Sequence, residues 1–261
     1  MFSAEERCIY RNNPLGEVIC QFRFPEILTI ETNIPDQFQE TIRDEFPVYA
    51  VKKELAVPKI TGLPGNLQVE KQQPTNNYQF TSADGVWRIN LTSKFISLTC
   101  SRYTCWEDFA RKLDKPLAAF LRIYRPAYYE RVGLRYLNFI SRRDTGIGYV
   151  PYRELIAPKY LGILADEQVS EVDITRNNVD AEFAIRGGCR VKIHAGPGLL
   201  KRSGMSDQEV KFIFDQDLYM PGRVDIKMSA AALQTLHSQA FTIFRDAITD
   251  TLHNAMEPID I

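Results

Sequence analysis

The sequence predicts an α+β fold of two pseudo-repeats, each running strand, helix, about four strands and a long helix, sharing one antiparallel sheet backed by helices. Three observations predict it. Apolar and polar residues alternate over short segments in both halves, as half-buried strands require. Turn-forming pairs such as Asp84-Gly85, Asn177-Asn178 and Gly187-Gly188 separate those segments. Each half closes on an apolar stripe at helical spacing. The halves divide at 1–128 and 129–261.

In the first half, Val18, Cys20, Phe22 and Phe24 fall on one face of a strand, with Glu17, Ile19, Gln21 and Arg23 on the other. Pro35 suits the first turn of a short helix bearing Phe38, Ile42 and Phe46, which Pro47 stops. A strand over Val48 to Val57 leads into a loop, Pro58 to Pro74, that contains Gly62, Pro64 and Gly65. Tyr78 to Thr81 and Val86 to Leu91 form a hairpin across Asp84-Gly85, and Phe95 to Cys100 is the next strand. Thr104 and Glu107 have capping-box spacing ahead of Trp106, Phe109, Leu113, Leu117 and Leu121. That helix should kink at Pro116 and end by Arg125-Pro126. Trp87 and Trp106 are expected in the core.

The second half opens on a strand in which Val132, Leu134, Tyr136, Asn138 and Ile140 share a face. Pro151 begins a short helical stretch through Tyr152, Leu155 and Ile156. Strands are expected at Val169 to Thr175, Val179 to Ile185, Cys189 to His194 and Glu209 to Phe214. Ser229 is placed to cap a final helix whose Leu233, Leu236, Ala240, Phe244, Ala247 and Leu252 stripe continues to about Met256.

With 261 residues, 44% of them apolar, and a net charge of -1, the chain can bury a core large enough to offset its conformational entropy, which argues against disorder. No apolar stretch is long enough to span a bilayer. Residues 1 to 16 carry Glu5, Glu6, Arg7 and Arg11 without an apolar export segment, so a cytoplasmic location is expected. The five cysteines, Cys8, Cys20, Cys100, Cys105 and Cys189, then read as reduced and mostly buried thiols. His194, His237 and His253 lack the spacing of helical zinc ligands, and neither a metal nor a cofactor is expected.

Tyr10 with Pro14-Leu15-Gly16-Glu17-Val18 and Phe22-Arg23-Phe24, Tyr103 with Trp106-Glu107-Asp108-Phe109, and Arg131-Val132-Gly133-Leu134-Arg135-Tyr136-Leu137-Asn138 together resemble a sporadically distributed, largely uncharacterised prokaryotic protein family. The resemblance lies mainly in the first half. It implies a mobile gene cassette, such as an antiviral-defence or toxin–antitoxin module, and brings no catalytic residue set. The order of elements is similar to the TATA-binding-protein-like architecture, in which two pseudo-symmetric halves merge into one curved antiparallel sheet. A helix-grip barrel built once from the same elements is the competing arrangement.

Candidate sites are few. A Ser or Cys nucleophile needs a base held by a third group, and three histidines without a Gly-x-Ser-x-Gly sequence offer little to build one. Gly196-Pro197-Gly198-Leu199-Leu200-Lys201-Arg202-Ser203-Gly204 is the best phosphate-loop candidate, with Lys201 and Arg202 as its cations, but it lacks the Gly-Lys-Ser/Thr ending, its Pro removes one donor, and it reads better as a basic solvated loop between two strands. Asp215 and Asp217 at a strand end, followed by Asp225-Ile226-Lys227, faintly resemble the acidic arm of a metal-dependent nuclease, a pattern that chance also supplies, as in Glu209-Val210-Lys211. From Arg122 to Arg143, Arg122, Arg125, Arg131, Arg135, Arg142 and Arg143 stand against Glu130 alone, interleaved with Tyr124, Tyr128, Tyr129 and Tyr136. Such a segment can grip phosphate and stack on bases, or its arginines can pair with carboxylates on the sheet. Gly133, within that strand, marks either a bulge or the approach of a neighbouring backbone or ligand where no side chain can stand.

The reading is therefore of a non-catalytic binding or scaffold protein that docks a protein partner, or a second copy of itself, through its sheet or helical face. A nucleic-acid or nucleotide binder using Arg131, Arg135, Arg142, Arg143, Lys201 and Arg202 is the alternative, and a metal-dependent nuclease the further one. A membrane is not among the expected partners.

Overall fold

The computed structural model describes residues 7–54, 59–61, 68–70, 74–202 and 205–260. Its strands and helices, in chain order, are β1 (Cys8–Tyr10), β2 (Leu15–Arg23), α1 (Leu28–Thr32), α2 (Asp36–Ile42), β3 (Val48–Glu54), β4 (Lys59–Thr61), β5 (Gln68–Glu70), β6 (Thr75–Thr81), β7 (Trp87–Leu91), β8 (Phe95–Cys100), α3 (Trp106–Tyr124), β9 (Tyr129–Ile140), β10 (Val179–Ala184), β11 (Arg190–Arg202), β12 (Met205–Val224), α4 (Ser229–Ala247), α5 (Asp250–Ala255) and β13 (Pro258–Asp260). Nine strands form one antiparallel sheet in the order β10-β11-β12-β9-β2-β8-β7-β6-β3. Its end strands, β10 and β3, are not neighbours, so the sheet is open and the helix-grip barrel is not what forms.

Strand alternation separates two faces. Val18, Cys20 and Phe22 of β2, Val132, Leu134, Tyr136 and Ile140 of β9, and Phe212, Phe214 and Leu218 of β12 are buried on one of them. The helices pack there. Phe120 of α3 packs at a tilt against Phe24, Phe38 of α2 meets Phe80 edge-on, and Phe244 of α4 meets Phe214 edge-on. Burying such rings contributes roughly 1.5–3 kcal/mol each, and that burial is what fixes the register of every strand beneath them.

Several segments depart from expectation for identifiable reasons. Val169 to Thr175 is not a strand: Glu171–Asp173 is a short 3-10 turn, held because the Glu171 carboxylate accepts from Arg142 and from the Tyr152 backbone N–H. Gly196 to Arg202 is not a loop, since β11 continues through it against β12; Ser203 and Gly204 lie outside the described residues, as do Gly62, Pro64 and Gly65. Pro197 is tolerated because the β10 ladder ends at Ala195, leaving β11 a neighbour on one side only. Asp215 and Asp217 lie in the middle of the twenty-residue β12, not at a strand end. Of the predicted strand over Val48 to Val57, β3 covers Val48–Glu54, and the remainder lies outside the described residues.

The helix ends differ too. Cys105, not Thr104, is the N-cap of α3; Thr104 donates to Asp108, and Glu107 is drawn to Arg7 instead of closing a capping box. The helix continues through Pro116 and ends on Arg125 in the left-handed region (φ 46) before Pro126. Ser229 does not cap α4, because its hydroxyl donates to the Ile226 carbonyl. The final helix breaks at Ile248, which is extended and bridges to Ile156, and Thr249 starts α5 by accepting from the Leu252 N–H. Among the described residues no helix is long and apolar enough to cross a membrane.

Phe214, fully buried between Tyr160 and Phe244, sets a stability benchmark. Phe214→Ala should cost about 3–5 kcal/mol in urea unfolding, whereas Val51→Ala on the exposed edge strand β3 should stay within about 0.5 kcal/mol.

Candidate functional site

Two places concentrate polar groups: the sheet face away from the helices, and a cleft beneath the helices. On the first, alternation brings Glu17, Ile19 and Gln21 of β2 beside Arg131, Gly133, Arg135 and Leu137 of β9 and Asp215, Asp217 and Tyr219 of β12. One cross-strand row runs Gln79, Asn90, Ser97, Gln21, Gly133, Tyr219. Gln79 donates to Asn90 at 2.9 Å, and Asn90 donates to Ser97 at 3.3 Å. Arg131 Nη1 reaches Gln21 at 3.4 Å.

Gly133 is where the row needs no side chain. A Cβ there would lie 2.8 Å from Arg131 Cζ, because the guanidinium folds across the glycine onto the Tyr219 ring, 4.6 Å from its centroid. What approaches is neither a backbone nor a ligand but the chain's own Arg131 side chain, and there is no bulge, since β9 keeps its register with both β2 and β12 at this point. From this position Arg131 Nη2 donates to both oxygens of Asp217, at 2.6 and 2.8 Å.

Arg135 forms the parallel arrangement one turn of the pleat away, with Nε donating to Asp215 Oδ1 at 2.8 Å and Nη2 to Oδ2 at 2.5 Å. The Asp215 bond raises the pKa of Arg135 above its ordinary value, with Asp217 and Glu17 adding to it. Farther out, His194 meets Asp180 at 2.6 Å, and Lys192 and Arg190 flank Glu182. Arg135, Asp215, Asp217, Lys192, His194 and Asp180 line a shallow groove of about 520 Å³.

The other predicted arginines are not brought to this face centre. Arg142 donates to Val150 O and Glu171 and lies over the Tyr152 ring, and Arg143 faces Asp207 and Glu209. Arg122 bonds Thr41, and Arg125 caps α3. Lys201 and Arg202 lie at the end of β11, opposite Ser206 and Met205. Among the described residues no group of three or more His, Cys, Asp or Glu side chains is placed to hold a metal ion.

The second place is not among the sites expected from the sequence. Tyr10 and Leu15 near the N-terminus, Tyr103 and Cys105 before α3, Tyr136 and Asn138 of β9, Gln216 of β12, and His237, Ala240 and Phe244 of α4 line a half-open cleft enclosing about 80 Å³. Tyr136 and Gln216 are direct cross-strand partners. His237 Nδ1 lies 2.8 Å from the Tyr136 hydroxyl, and its ring stacks on Trp106 with centroids 4.5 Å apart. Trp106 is in turn fixed by donating to Gln234 at 3.0 Å. Burial, aided by the positive charge of Arg7, pushes His237 down to about 4, so its ring is neutral at pH 7. Burial likewise drives the Tyr136 hydroxyl well above its ordinary pKa. The available signal was the phase of the strands: Asn138 and Gln216 are polar residues at core positions of alternating segments, and such residues need partners.

Compared with known proteins, the chain matches no family model and no curated protein.

Two outcomes follow from this geometry. Gly133→Ala must displace the Arg131 guanidinium from Asp217, and should cost about 1–2 kcal/mol in urea unfolding. In an Arg131→Ala background the same substitution should cost much less, and the double-mutant cycle reads the coupling. For His237, the unfolded chain binds a proton near 6.5 and the native state only near 4, so its contribution is complete above pH 6.5 and is lost as pH falls toward 4. Unfolding measured at pH 7, 6 and 5 should show a loss of about 2 kcal/mol that is absent from His237→Gln.

Proposed function

We propose that the protein is a non-catalytic binding protein that docks a protein partner on the open face of its sheet. The observation that carries this reading is one cross-strand row holding two bonded sets of side chains, Gln79, Asn90 and Ser97 across β6, β7 and β8, and Gln21, Arg131 and Asp217 across β2, β9 and β12, with Arg131 held between Gly133, Tyr219 and Asp217. A surface whose long side chains are already immobilised loses little rotamer entropy on association, and arginine and tyrosine are enriched where protein interfaces draw their affinity. Ile19 and Leu137 add apolar area beside the ion pairs.

The same geometry weighs against phosphate as the ligand of this face. Arg131 and Arg135 would each have to abandon a carboxylate, and neighbouring Asp215 and Asp217 would repel the incoming anion. For a nuclease, those two carboxylates are already engaged by arginines.

The strand order supports a duplication as the origin of the face. On either side of the β2–β9 pair the order runs β8-β7-β6 and β12-β11-β10, and a long helix follows β8 and β12. Halves 1–128 and 129–261 would then form a saddle similar to the TATA-binding-protein-like arrangement, serving as the scaffold of a defence or toxin–antitoxin module as the sequence resemblance implies.

Affinity capture from cells that express the protein natively, using the wild type, Arg131→Ala/Arg135→Ala, and Lys159→Ala as a control, tests the reading. One protein should be retained by the wild type and by Lys159→Ala and lost, by about tenfold or more, with the double variant. A partner held equally by all three, or nucleic acid recovered with steeply salt-dependent affinity, would refute it.

A further inference from the structure

Two buried polar atoms of residues lining the cleft beneath the helices have no hydrogen-bond partner among the described residues: Oε1 of Gln216 and Nε2 of His237. Both residues are more than nine-tenths buried, with Gln216 2% and His237 7% exposed. Leaving such groups unpaired is costly, so a cleft lined by two residues that carry them is built for something that bonds them. The enclosed volume is about 80 Å³. A single water needs roughly 10–15 Å³ and a fully buried benzene about 150 Å³ by a comparable measure, so the enclosed part takes one edge of a ring and the remainder lies in the half-open mouth.

The remaining lining defines the chemistry. Tyr10, Tyr103, Tyr136, Phe241 and Phe244 supply aromatic walls. Neither cation at the cleft offers an anion a free charge: His237 is neutral at pH 7, and Arg7 at the mouth is held by Glu107 through two bonds of 3.0 and 3.2 Å. Gln216 Oε1 can only accept. His237 Nε2 donates if the Tyr136 hydroxyl donates to Nδ1, and accepts if Nδ1 carries the proton. A hydroxyl complements the pair directly in the first arrangement, donating to Gln216 while accepting from His237. We propose that this cleft is a binding site for a small uncharged ring compound bearing a hydroxyl group, read by Gln216 and His237. It is independent of the docking face, since β9 and β12 present Tyr136, Asn138 and Gln216 on the opposite side from Arg131, Arg135 and Asp217.

Phenol and its methyl ether, anisole, are the probes, titrated into the full chain and followed by aromatic NMR signals. Phenol should shift the signals of Tyr136, His237 and Phe244 saturably and bind at least about tenfold more tightly than anisole, the discrimination expected when a buried acceptor is left unpaired. Gln216→Met removes the acceptor at nearly constant shape and should reduce phenol affinity to the level of anisole. Its melting temperature should be unchanged or higher, because an unsatisfied buried group has been deleted, and that separates lost binding from lost folding. His237→Gln should lower phenol affinity as well. No saturable shift at phenol concentrations up to about 10 mM, equal affinity for the two probes, or undiminished binding by Gln216→Met would each overturn the proposal.

Discussion

Everything in this molecule depends on β9 being paired on both sides, by β2 and by β12, over nearly its whole length. A strand so held cannot slip by one residue without exchanging its faces. Val132, Leu134, Tyr136 and Ile140 are therefore committed to the helices, and Arg131, Gly133, Arg135 and Leu137 to the open side. The core enforces the first set through burial, and the second set is carried along by geometry.

Charge on the open side follows from the same pairing. The segment Arg122 to Arg143 looks strongly basic when read alone. Its neighbour in space, β12, supplies Asp215 and Asp217 in the register that places a carboxylate within reach of Arg135 and Arg131. Both pairs are partly shielded, with Arg131 and Asp215 side chains 19% and 14% exposed, so each is stronger than a solvated surface pair while escaping the full desolvation penalty of the interior. The result is a face that is charged in detail and nearly neutral in sum. Such a face discriminates by matching a partner's shape and charge order, and long-range attraction contributes little.

Local signals were legible in the sequence and long-range ones were not. β8, from Phe95 to Cys100, and the Arg125-Pro126 end of α3 follow from alternation and from proline chemistry. The helix expected to run to Met256 breaks instead at Ile248, because Ile156 bridges it and Glu154 takes the Thr249 hydroxyl, two contacts almost a hundred residues away in sequence. Gly196-Pro197-Gly198 resembled a loop by composition, but pairing with Phe212, Ile213 and Lys211 overrode it. Gly133 stands out within its strand, yet nothing local to it specifies that Arg131 fills its place. The cleft was missed for the same reason: Tyr136, Gln216 and His237 meet only after β12 joins β9 and α4 folds back over both.

Hydroxyl-radical footprinting of the free protein, read by mass spectrometry, tests the two-faced sheet most directly. Ile19, Leu137 and Tyr219 should oxidise readily while Val18, Tyr136 and Leu218, one residue away on the same three strands, stay protected. Equal protection of both sets would mean that the face carrying Arg131 and Arg135 is covered, and the account given for it would fail.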